Sequence, residues 1–367
     1  MASVDILTIH FGINHGSVLQ CYALSNTLAD MGADVQVIDY VPARYRMWNN
    51  VKIKFPDKSL PWKLAYFLAS SLIRFPQKLI FRRYLKRHIP LTNRYSDKYE
   101  LMRCRPEADA YIVGSDQVWN STYNGSADDS YFLPFAPEQA VKASYAASIG
   151  RDYLDERENE KFREALSSFI SISVRESKAR DLLKEAGVAS RIDLDPVFLF
   201  RVDRWRELAS QKKYADRYLL VYVIAQNYKD MLVQARQIAD LLGLKLYVLS
   251  VKPIPFDGVD CNFIFSNPSD FLNLFDHAEF IVSNSFHGTA FSIIFGKRFL
   301  TYVARYNSRI ENILDFTGLR DRLVSDCFTS RQIVNPIDYQ SVHALIESAT
   351  EESLEYLSSI LGAIHND

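Results

Sequence analysis

The sequence predicts an α/β protein built from two Rossmann-like domains that face each other across a cleft. Short β-rich runs alternate with stretches of helical periodicity through most of the 367 residues, which indicates parallel sheets. The alternation has a similar length before and after a polar stretch at residues 207–217. The chain length also fits two domains of about 100–200 residues each.

The first predicted domain spans residues 1–207 and opens with a strand, a loop, a helix and a strand. These elements are Val4–His10, Phe11–Ser17, Val18–Met31 and Val35–Tyr40. Further strands are predicted at Ala108–Val113, Ala140–Ala147 and Ile170–Val174, with helices at Asp155–Ser168 and Lys178–Ala186. Because each strand is followed by a helix, we expect a parallel sheet.

The second predicted domain spans residues 208–335 and repeats this order. Its strands are predicted at Tyr218–Ile224, Lys245–Ser250, Asn262–Phe265, Phe280–Ser283 and Arg298–Val303, and its helices at Lys229–Leu242, Ser269–His277 and Phe286–Phe295. Residues 336–367 contain an amphipathic pattern at Gln340–Leu361, which predicts a closing helix. Two such domains bind ligands in the cleft between the carboxyl ends of their strands.

The segment 52–95 has an unusual composition. It holds eleven Lys and Arg residues, one acid (Asp57) and many interleaved apolar side chains, and prolines at 56, 61, 76 and 90 predict several short helices. One interpretation is an arm that lies on an anionic membrane surface. The other is that its apolar face packs on the first domain and its cationic face is solvated.

Composition excludes several functional classes. The net charge of −1 gives no support to nucleic-acid binding. Four cysteines lie far apart, which argues against a zinc site and a disulfide framework and favours a reducing compartment. We find no signal-peptide pattern and no run of about 18 apolar residues, so we expect a cytoplasmic protein.

The turn Ser283–Thr289 is the most informative part of the sequence. An apolar strand runs through small polar residues into an apolar helix, whose free N–H groups and partial positive charge would bind a phosphate or carboxylate. Gly288 would let the backbone approach a ligand. His287 is placed to protonate a substrate or to bind an anion. The alternative is a capping turn with a hydrogen-bonded core histidine.

Other polar residues follow predicted strand ends in the first domain. Arg175 is suited to hold a carboxylate or phosphate, or else pairs with Glu176. Asp116 is placed to orient a sugar hydroxyl or a histidine, or else caps a helix. Four further candidates for binding a substrate in this domain are Asn14, His15, Ser115 and Gln117.

Some common ligand signatures are missing or weak. The loop Phe11–Ser17 is neither GxGxxG nor a P-loop, so a dinucleotide or ATP fingerprint is absent. Asp193-Leu194-Asp195 matches the DxD of metal-dependent sugar transferases, but this tripeptide is common by chance. We therefore expect no metal and no cofactor.

Five stretches in order resemble the polysaccharide pyruvyl transferase family over roughly residues 4–320. They are Phe11–Leu24, Tyr111–Asn120, Ile172–Glu176, Asp195–Leu199 and Ser283–Ser292. The resemblance implies a glycosyltransferase-B-like fold and transfer of pyruvate from phosphoenolpyruvate onto a sugar as a ketal. It implies that His287 is the general acid or a donor-binding residue. Together with the position of Asp116 after a strand, this leads us to expect His287 and Asp116 to be catalytic.

The resemblance also implies that Arg175 holds the donor. The further donor-binding candidates, from the turn itself, are Ser285, Gly288 and Thr289. Many family members have an Arg two residues before the histidine, where this chain has Ser285. Arg305 or Arg309 is the expected replacement for that charge. The acceptor would be a sugar of a capsular, cell-wall or exopolysaccharide precursor, linked to lipid at the inner membrane face, which would give segment 52–95 a role.

Two other functions stay open at this point. One is a glycosyltransferase-B type sugar transferase that uses a nucleotide sugar and shares the cleft and the phosphate site. The other is a non-catalytic sugar-binding or assembly protein, because a fold does not fix a function.

Overall fold

The first sheet has five parallel strands in the order β3-β2-β1-β4-β5. The computed structural model describes residues 1–46, 49, 55, 57–124, 128–224, 228–303 and 308–364. The strands are β1 Ser3–Leu7, β2 Asp34–Tyr40, β3 Leu91–Tyr95, β4 Ala110–Val113 and β5 Val141–Ser144. A short pair, β6 Ser173–Val174 and β7 Arg191–Ile192, continues this sheet beyond β5 through single bridges.

Seven helices belong to the described part of this half. They are α1 His15–Asp30, α2 Leu60–His88, α3 Lys98–Arg103, α4 Ser121–Asn124, α5 Glu156–Leu166, α6 Ser177–Glu185 and α7 Val202–Leu208. Helix α1 begins after Asn14, whose side chain accepts hydrogen bonds from the backbone N–H groups of Gly16 (3.0 Å) and Ser17 (3.4 Å). The long buried face of α1 packs over the sheet.

The second sheet has six parallel strands in the order β10-β9-β8-β11-β12-β13. They are β8 Tyr218–Val223, β9 Lys245–Ser250, β10 Cys261–Phe263, β11 Phe280–Ser283, β12 Arg298–Tyr302 and β13 Leu323–Val324. The helices are α8 Lys229–Leu242, α9 Pro268–His277, α10 Phe286–Ile294, α11 Ser308–Phe316, α12 Ser330–Val334 and α13 Tyr339–Ile364. The predicted two-sheet α/β architecture is confirmed. The exact domain limits at 207 and 335 stay predictions.

Helix α13 connects the two halves. Its Tyr356 hydroxyl donates to the Ser144 carbonyl in β5 over 2.8 Å. Nearer its start, the His343 Nε2 donates to the Ile293 carbonyl in α10 over 2.9 Å. Helix α13 is therefore hydrogen-bonded to both halves of the molecule and holds them together.

Helix α2 corrects one prediction. The prolines do not divide this segment into short helices, because residues 60–88 form one helix of 29 residues. Pro61 lies in the first turn, where its missing N–H costs nothing, and Pro90 follows the helix. Pro76 lies inside the helix and is accommodated there. Strand β3, which follows α2, was not predicted.

Helix α2 also spans from the first half to the second. Its inner face buries Phe81, Tyr84 and Leu85. The buried Gln77 amide donates to the carbonyls of Val251 (2.9 Å) and Ile264 (2.6 Å) in the second half. Within the described ranges, no helix is long and apolar enough to cross a membrane.

Candidate functional site

The two sheets each have one switch point, where neighbouring strands lead to helices on opposite sides. In the first sheet it lies between β1 and β4, and in the second between β8 and β11. Ligands of open parallel sheets bind beyond the carboxyl ends of the strands at such points. Asp116 follows β4, and His287 follows β11. The two residues predicted to be catalytic therefore occupy the two switch points.

Asp116 is held in an unusual backbone conformation. Its φ of 77° lies in the left-handed region, which side chains with a Cβ seldom adopt. Its carbonyl accepts from the N–H groups of Val118 (2.8 Å) and Ser148 (3.0 Å), which fixes the turn. The carboxylate accepts hydrogen bonds from the Ser17 hydroxyl (2.6 Å) and from the backbone N–H of the next residue, Gln117 (2.8 Å). In this conformation the Asp116 carboxylate points towards Ser17, in the first turn of α1.

His287 lies in the first turn of α10. Ser285 is the N-cap residue of that helix, although its hydroxyl makes no capping hydrogen bond. The Ser283 hydroxyl accepts the Ser285 N–H at 3.1 Å and donates to the Tyr222 carbonyl at 3.1 Å. A Cβ on Gly288 would overlap the Ser283 side chain, so this glycine is required by packing inside the turn.

The imidazole of His287 packs directly on Gly16 in the other half of the molecule. A Cβ on Gly16 would overlap the His287 ring. This contact brings the first turn of α1 against the first turn of α10. The amino ends of two helices therefore face the same region of the cleft, and both carry partial positive charge.

Arg175 forms the cationic centre of the site. It is 4 % exposed, and its Nη1 donates to the Asp195 carboxylate at 2.5 Å and to the Ser115 hydroxyl at 3.3 Å. Ser115 in turn donates to Asp195 at 2.9 Å. The guanidinium lies over the Phe286 ring, 4.6 Å from its centre. This packing fixes the plane of the guanidinium.

Three buried nitrogens in the site have no hydrogen-bond partner in the described part of the chain. They are Nε and Nη2 of Arg175 and Nε2 of His287. The His287 Nε2 lies 3.9 Å from the Asp195 carboxylate, too far for a hydrogen bond. Buried polar atoms are nearly always paired, so unpaired donors in a cleft indicate a place for a ligand with acceptor oxygens.

The charges of the site act on one another. Burial lowers the pKa of His287 below its ordinary value, and the Asp195 and Asp116 carboxylates offset this only in part. Burial would raise the pKa of Asp116, but Arg175, His287 and the Ser17 hydroxyl hold it below its usual value. Without a ligand, a neutral histidine therefore faces an ionised carboxylate.

Arg309 supplies a second cation beside Arg175. Burial and the Arg175 charge lower the pKa of Arg309. A cavity of about 500 Å³ opens here, lined by Arg175, Asp195, Phe286 and Arg309 among others. Arg305, the other predicted replacement, lies outside the described residues. Arg309 therefore lies in the wall of the same cavity as Arg175, and its role as the replacement charge stays a prediction.

Thr289 and Gly288, which were also predicted to bind the donor, are packed inside the turn. The Thr289 hydroxyl is fully buried and engages Thr301 at 2.8 Å and the Ser285 carbonyl at 3.1 Å. Gly288 is enclosed by Ser283. These two residues shape the turn, whereas the Ser285 side chain stays at the start of α10.

The four residues that were predicted to bind the acceptor make different kinds of contact. Asn14 caps α1, as the alternative interpretation of that loop holds. His15 is buried, stacks on Phe271 at 5.2 Å and donates from Nε2 to the Ser266 carbonyl at 3.1 Å. Ser115 belongs to the Arg175 network. Gln117 is half-buried and accepts the Asn120 amide at 2.7 Å.

Three residues of the site were not selected as site residues from the sequence. Ser17 holds Asp116, Gly16 supports His287, and Asp195 holds Arg175. The DxD pattern drew attention to Asp195. The other aspartate of that pattern, Asp193, accepts a hydrogen bond from Ser353. The signal available for Ser17 was its place after β1. Nothing in the sequence indicates the Gly16 contact.

A family model described as polysaccharide pyruvyl transferase matches residues 14–305. No curated protein sequence shows significant similarity to the chain.

Among solved structures, the chain resembles UDP-GlcNAc 2-epimerase from Neisseria meningitidis bound to UDP-GlcNAc. The TM-score is 0.51 at 10 % identity, over 98 % of this chain and 100 % of that one. It also resembles UDP-N-acetylglucosamine 2-epimerase from Rickettsia bellii, with a TM-score of 0.50 at 12 % identity, over 99 % and 96 % of the two chains. These similarities concern the fold, which is of the glycosyltransferase-B type.

Proposed function

The chain belongs to the polysaccharide pyruvyl transferase family, a family of transferases, and we propose that it transfers pyruvate from phosphoenolpyruvate to a sugar as a ketal. The observation that carries the proposal is a set of three buried nitrogens without a partner among the described residues, Nε and Nη2 of Arg175 and Nε2 of His287. They lie where a helix amino end and a second guanidinium add positive charge. A small ligand with several anionic oxygens matches this arrangement.

Phosphoenolpyruvate carries a phosphate and a carboxylate on adjacent atoms. We assign one anionic group to Arg175 and Arg309 and the other to the start of α10, next to Ser285. Arg175 can do this without losing its structural role, because Asp195 occupies Nη1 and leaves Nη2 available. The Phe286 ring beneath the guanidinium keeps that nitrogen in place.

The reaction begins with a proton that His287 gives to the methylene carbon of phosphoenolpyruvate. This produces an oxocarbenium-like centre at C2, which a sugar hydroxyl attacks as it loses its proton. The C2–O bond to phosphate then breaks, and a second hydroxyl closes the ketal. One hydroxyl proton returns to His287, and the other leaves on the phosphate, so the enzyme is restored.

The geometry explains how a histidine of lowered pKa can act as an acid. Bound anions favour the charged imidazolium, so donor binding raises the pKa of His287 towards neutrality. Asp116 and Asp195 lie within electrostatic reach of the ring and stabilise its charge. Asp116, fixed by Ser17, is also placed to orient an acceptor hydroxyl at the first switch point.

We further propose that the acceptor is linked to lipid at the inner membrane face and that α2 contacts this membrane. Five large apolar side chains on one face of α2 are exposed, and the same face continues into Arg82, Arg83 and Lys86. The apolar residues are Leu64, Leu68, Leu72, Phe75 and Leu79. Residues 58–96 contain no carboxylate. Such a face suits an anionic membrane surface.

Phosphate release tests the proposal. The enzyme is incubated with phosphoenolpyruvate and a panel of lipid-linked and nucleotide-linked sugars, and free phosphate is measured. We expect acceptor-dependent release, with a ketal methyl signal in the sugar product. Transfer of a sugar from a nucleotide sugar, with no use of phosphoenolpyruvate, would establish the glycosyltransferase alternative instead.

A further inference from the structure

A second cavity lies where α2 crosses between the two halves of the molecule. Its volume is about 620 Å³, larger than the 500 Å³ cavity beside Arg175. Most of its wall belongs to the first half: the loop Phe11–Ile13 after β1, the middle of α2, and residues in or near β2, β3 and α4. Val251 and Lys252, after β9, supply the wall from the second half. It is thus a true interdomain cavity, separate from the Arg175 cavity, with which it shares no lining residue.

The lining of this cavity is strongly cationic. Six basic side chains face it: Arg46, Arg74, Lys78, Arg82, Arg94 and Lys252. The carboxylate among the lining residues is Asp39. Arg94 holds that carboxylate through two hydrogen bonds of 2.9 and 3.2 Å, and His10 lies 3.2 Å from it. The remaining basic groups therefore carry a net positive charge into the cavity.

Lys78 shows the consequence of this excess charge. Burial lowers the pKa of its ammonium, and the charges of Arg74 and Arg94 lower it further. Its Nζ donates to the neutral carbonyl of Tyr45 at 3.3 Å. Cations that repel one another inside a cleft raise the free energy of the empty protein, and a bound anion lowers it again.

We propose that this cavity binds the phosphate or diphosphate group that carries the acceptor sugar. The inference rests on the proposed function, in which the Arg175 cavity is already assigned to the donor. Several guanidinium groups and an ammonium are the groups that proteins use to bind phosphate oxygens. Aromatic side chains beside them, Phe11 and Tyr45, whose ring centres lie 4.9 Å apart, form an apolar wall.

Tyr123 connects the cavity with the turn that carries Asp116. Its side chain lines the cavity. The side-chain amide of the next residue, Asn124, donates to the carbonyls of Gln117 (3.0 Å) and Val118 (2.7 Å), which directly follow Asp116. A sugar attached to the bound phosphate would extend past Tyr123 to the first switch point, where its hydroxyls meet the donor.

The same anionic group occurs in polyprenyl diphosphate sugars and in nucleotide diphosphate sugars. Phe75 and Leu79 line the cavity and also belong to the exposed apolar face of α2. They offer a continuous path from the basic cluster to an apolar surface. This arrangement favours a lipid tail over a nucleotide.

Calorimetric titration of the full chain with inorganic pyrophosphate tests the proposal. We expect saturable binding that weakens at least tenfold in a double variant, Lys78→Gln with Arg82→Gln. The matched control is Arg103→Gln with Lys184→Gln, which removes one Arg and one Lys from exposed positions outside the cavity and outside α2. The control should bind pyrophosphate as the wild type does. Absence of binding, or equal loss in both double variants, would overturn the proposal.

Two further titrations separate this site from the donor site. Phosphoenolpyruvate should bind the Lys78/Arg82 variant normally, and pyrophosphate should bind His287→Asn normally. If pyrophosphate binding is lost in His287→Asn and retained in the cavity variant, the anion site is the donor site and the proposal fails. If pyrophosphate binds the cavity and phosphoenolpyruvate binds nowhere, the cavity assignment stands and the donor assignment fails.

A last pair of ligands identifies the source of the phosphate. Farnesyl diphosphate and UDP-N-acetylglucosamine are titrated in the same way. Tighter binding of farnesyl diphosphate than of pyrophosphate supports a lipid carrier, and tighter binding of the nucleotide sugar supports a nucleotide carrier. If both ligands bind without regard to Lys78 and Arg82, the proposal is contradicted.

Discussion

The ring of His287 rests on the backbone of Gly16, and this contact joins the amino ends of α1 and α10 across the cleft. The contact would be lost if one half of the molecule were displaced against the other. Among the described residues His287 Nε2 has no hydrogen-bond partner, so the packing of the two halves helps to position the acid of the proposed reaction.

Gly16→Ala should inactivate the enzyme while the fold persists. The added methyl group displaces the His287 ring, and a shift of about 1 Å at a catalytic group costs about 100-fold in rate. Stability should fall by about 1–3 kcal/mol from overpacking. Phosphate release from phosphoenolpyruvate and urea unfolding measure the two effects.

Gly362→Ala is the matched control for this change. A Cβ at Gly362, which lies in helix α13, meets no atom of the described residues within 4 Å. Both activity and stability should remain close to wild type. Full activity in Gly16→Ala would show that the His287 contact is not needed for the reaction.

His287→Asn should lower phosphate release by about 10²–10⁴-fold, the range of general acid catalysis. The smaller side chain fits beside Gly16, so circular dichroism should be unchanged. The thermal unfolding midpoint should also stay near that of wild type. Retention of more than a tenth of the activity would exclude His287 as the proton donor.

Phosphoenolpyruvate binding should weaken as the pH rises. In the free protein burial lowers the pKa of His287, and bound anions raise it, so binding takes up a proton between the two pKa values. Affinity in that window falls by up to about tenfold per pH unit. Titration calorimetry from about pH 5.5 to 7 covers the range in which His287 titrates and measures the slope, and His287→Asn measured in parallel gives the part due to the ligand phosphate. A slope unchanged in His287→Asn would assign the proton to another group.

Asp195→Ala should be strongly destabilising. Arg175 and Asp195 are both buried, and removal of the carboxylate leaves the guanidinium without its closest counter-ion. Loss of one partner of a buried pair costs about 3–5 kcal/mol. Asp181→Ala breaks the exposed pair with Arg180 and should cost at most about 1 kcal/mol. Equal denaturation midpoints for the two variants would show that the Arg175 pair is not a stabilising contact.

The acid sensitivity of the fold should depend on His15. Burial lowers the pKa of His15 to about 4, below the value of about 6.5 in an unfolded chain. Between these values the unfolded state binds more protons, so stability is complete above pH 6.5 and is lost as the pH falls towards 4. His15→Gln should make this loss shallower in urea unfolding between those pH values. An identical pH profile would show that His15 titrates normally in the folded protein.

Local patterns in the sequence predict much of this structure. The strand β11 and helix α10 follow from an apolar run, a small polar turn and a second apolar run, and Lys229–Leu242 follows from its periodicity. Helix α2 was predicted as several pieces because Pro76 lowers helix propensity, which the packing of the inner face of α2 overrides.

The sequence predicts those residues of the candidate site whose positions depend on the strand directly before them. His287, Asp116 and Arg175 follow directly from their places after strands. The contact of Gly16 with His287 depends on how two separately folded sheets meet, which no short stretch of sequence specifies. For the same reason His15, next to Gly16, looked like a ligand contact and lies instead among the aromatic side chains between the two halves.

The central claim is that phosphoenolpyruvate binds at His287 and Arg175. The most direct test is the thermal unfolding midpoint of the wild type with phosphoenolpyruvate and, separately, with UDP-N-acetylglucosamine. A ligand at about 100 times its dissociation constant adds about 2.7 kcal/mol of stability, which raises the midpoint by several degrees. We predict this increase with phosphoenolpyruvate and a smaller one in His287→Asn. No increase with phosphoenolpyruvate, together with a clear increase from the nucleotide sugar, would contradict the claim.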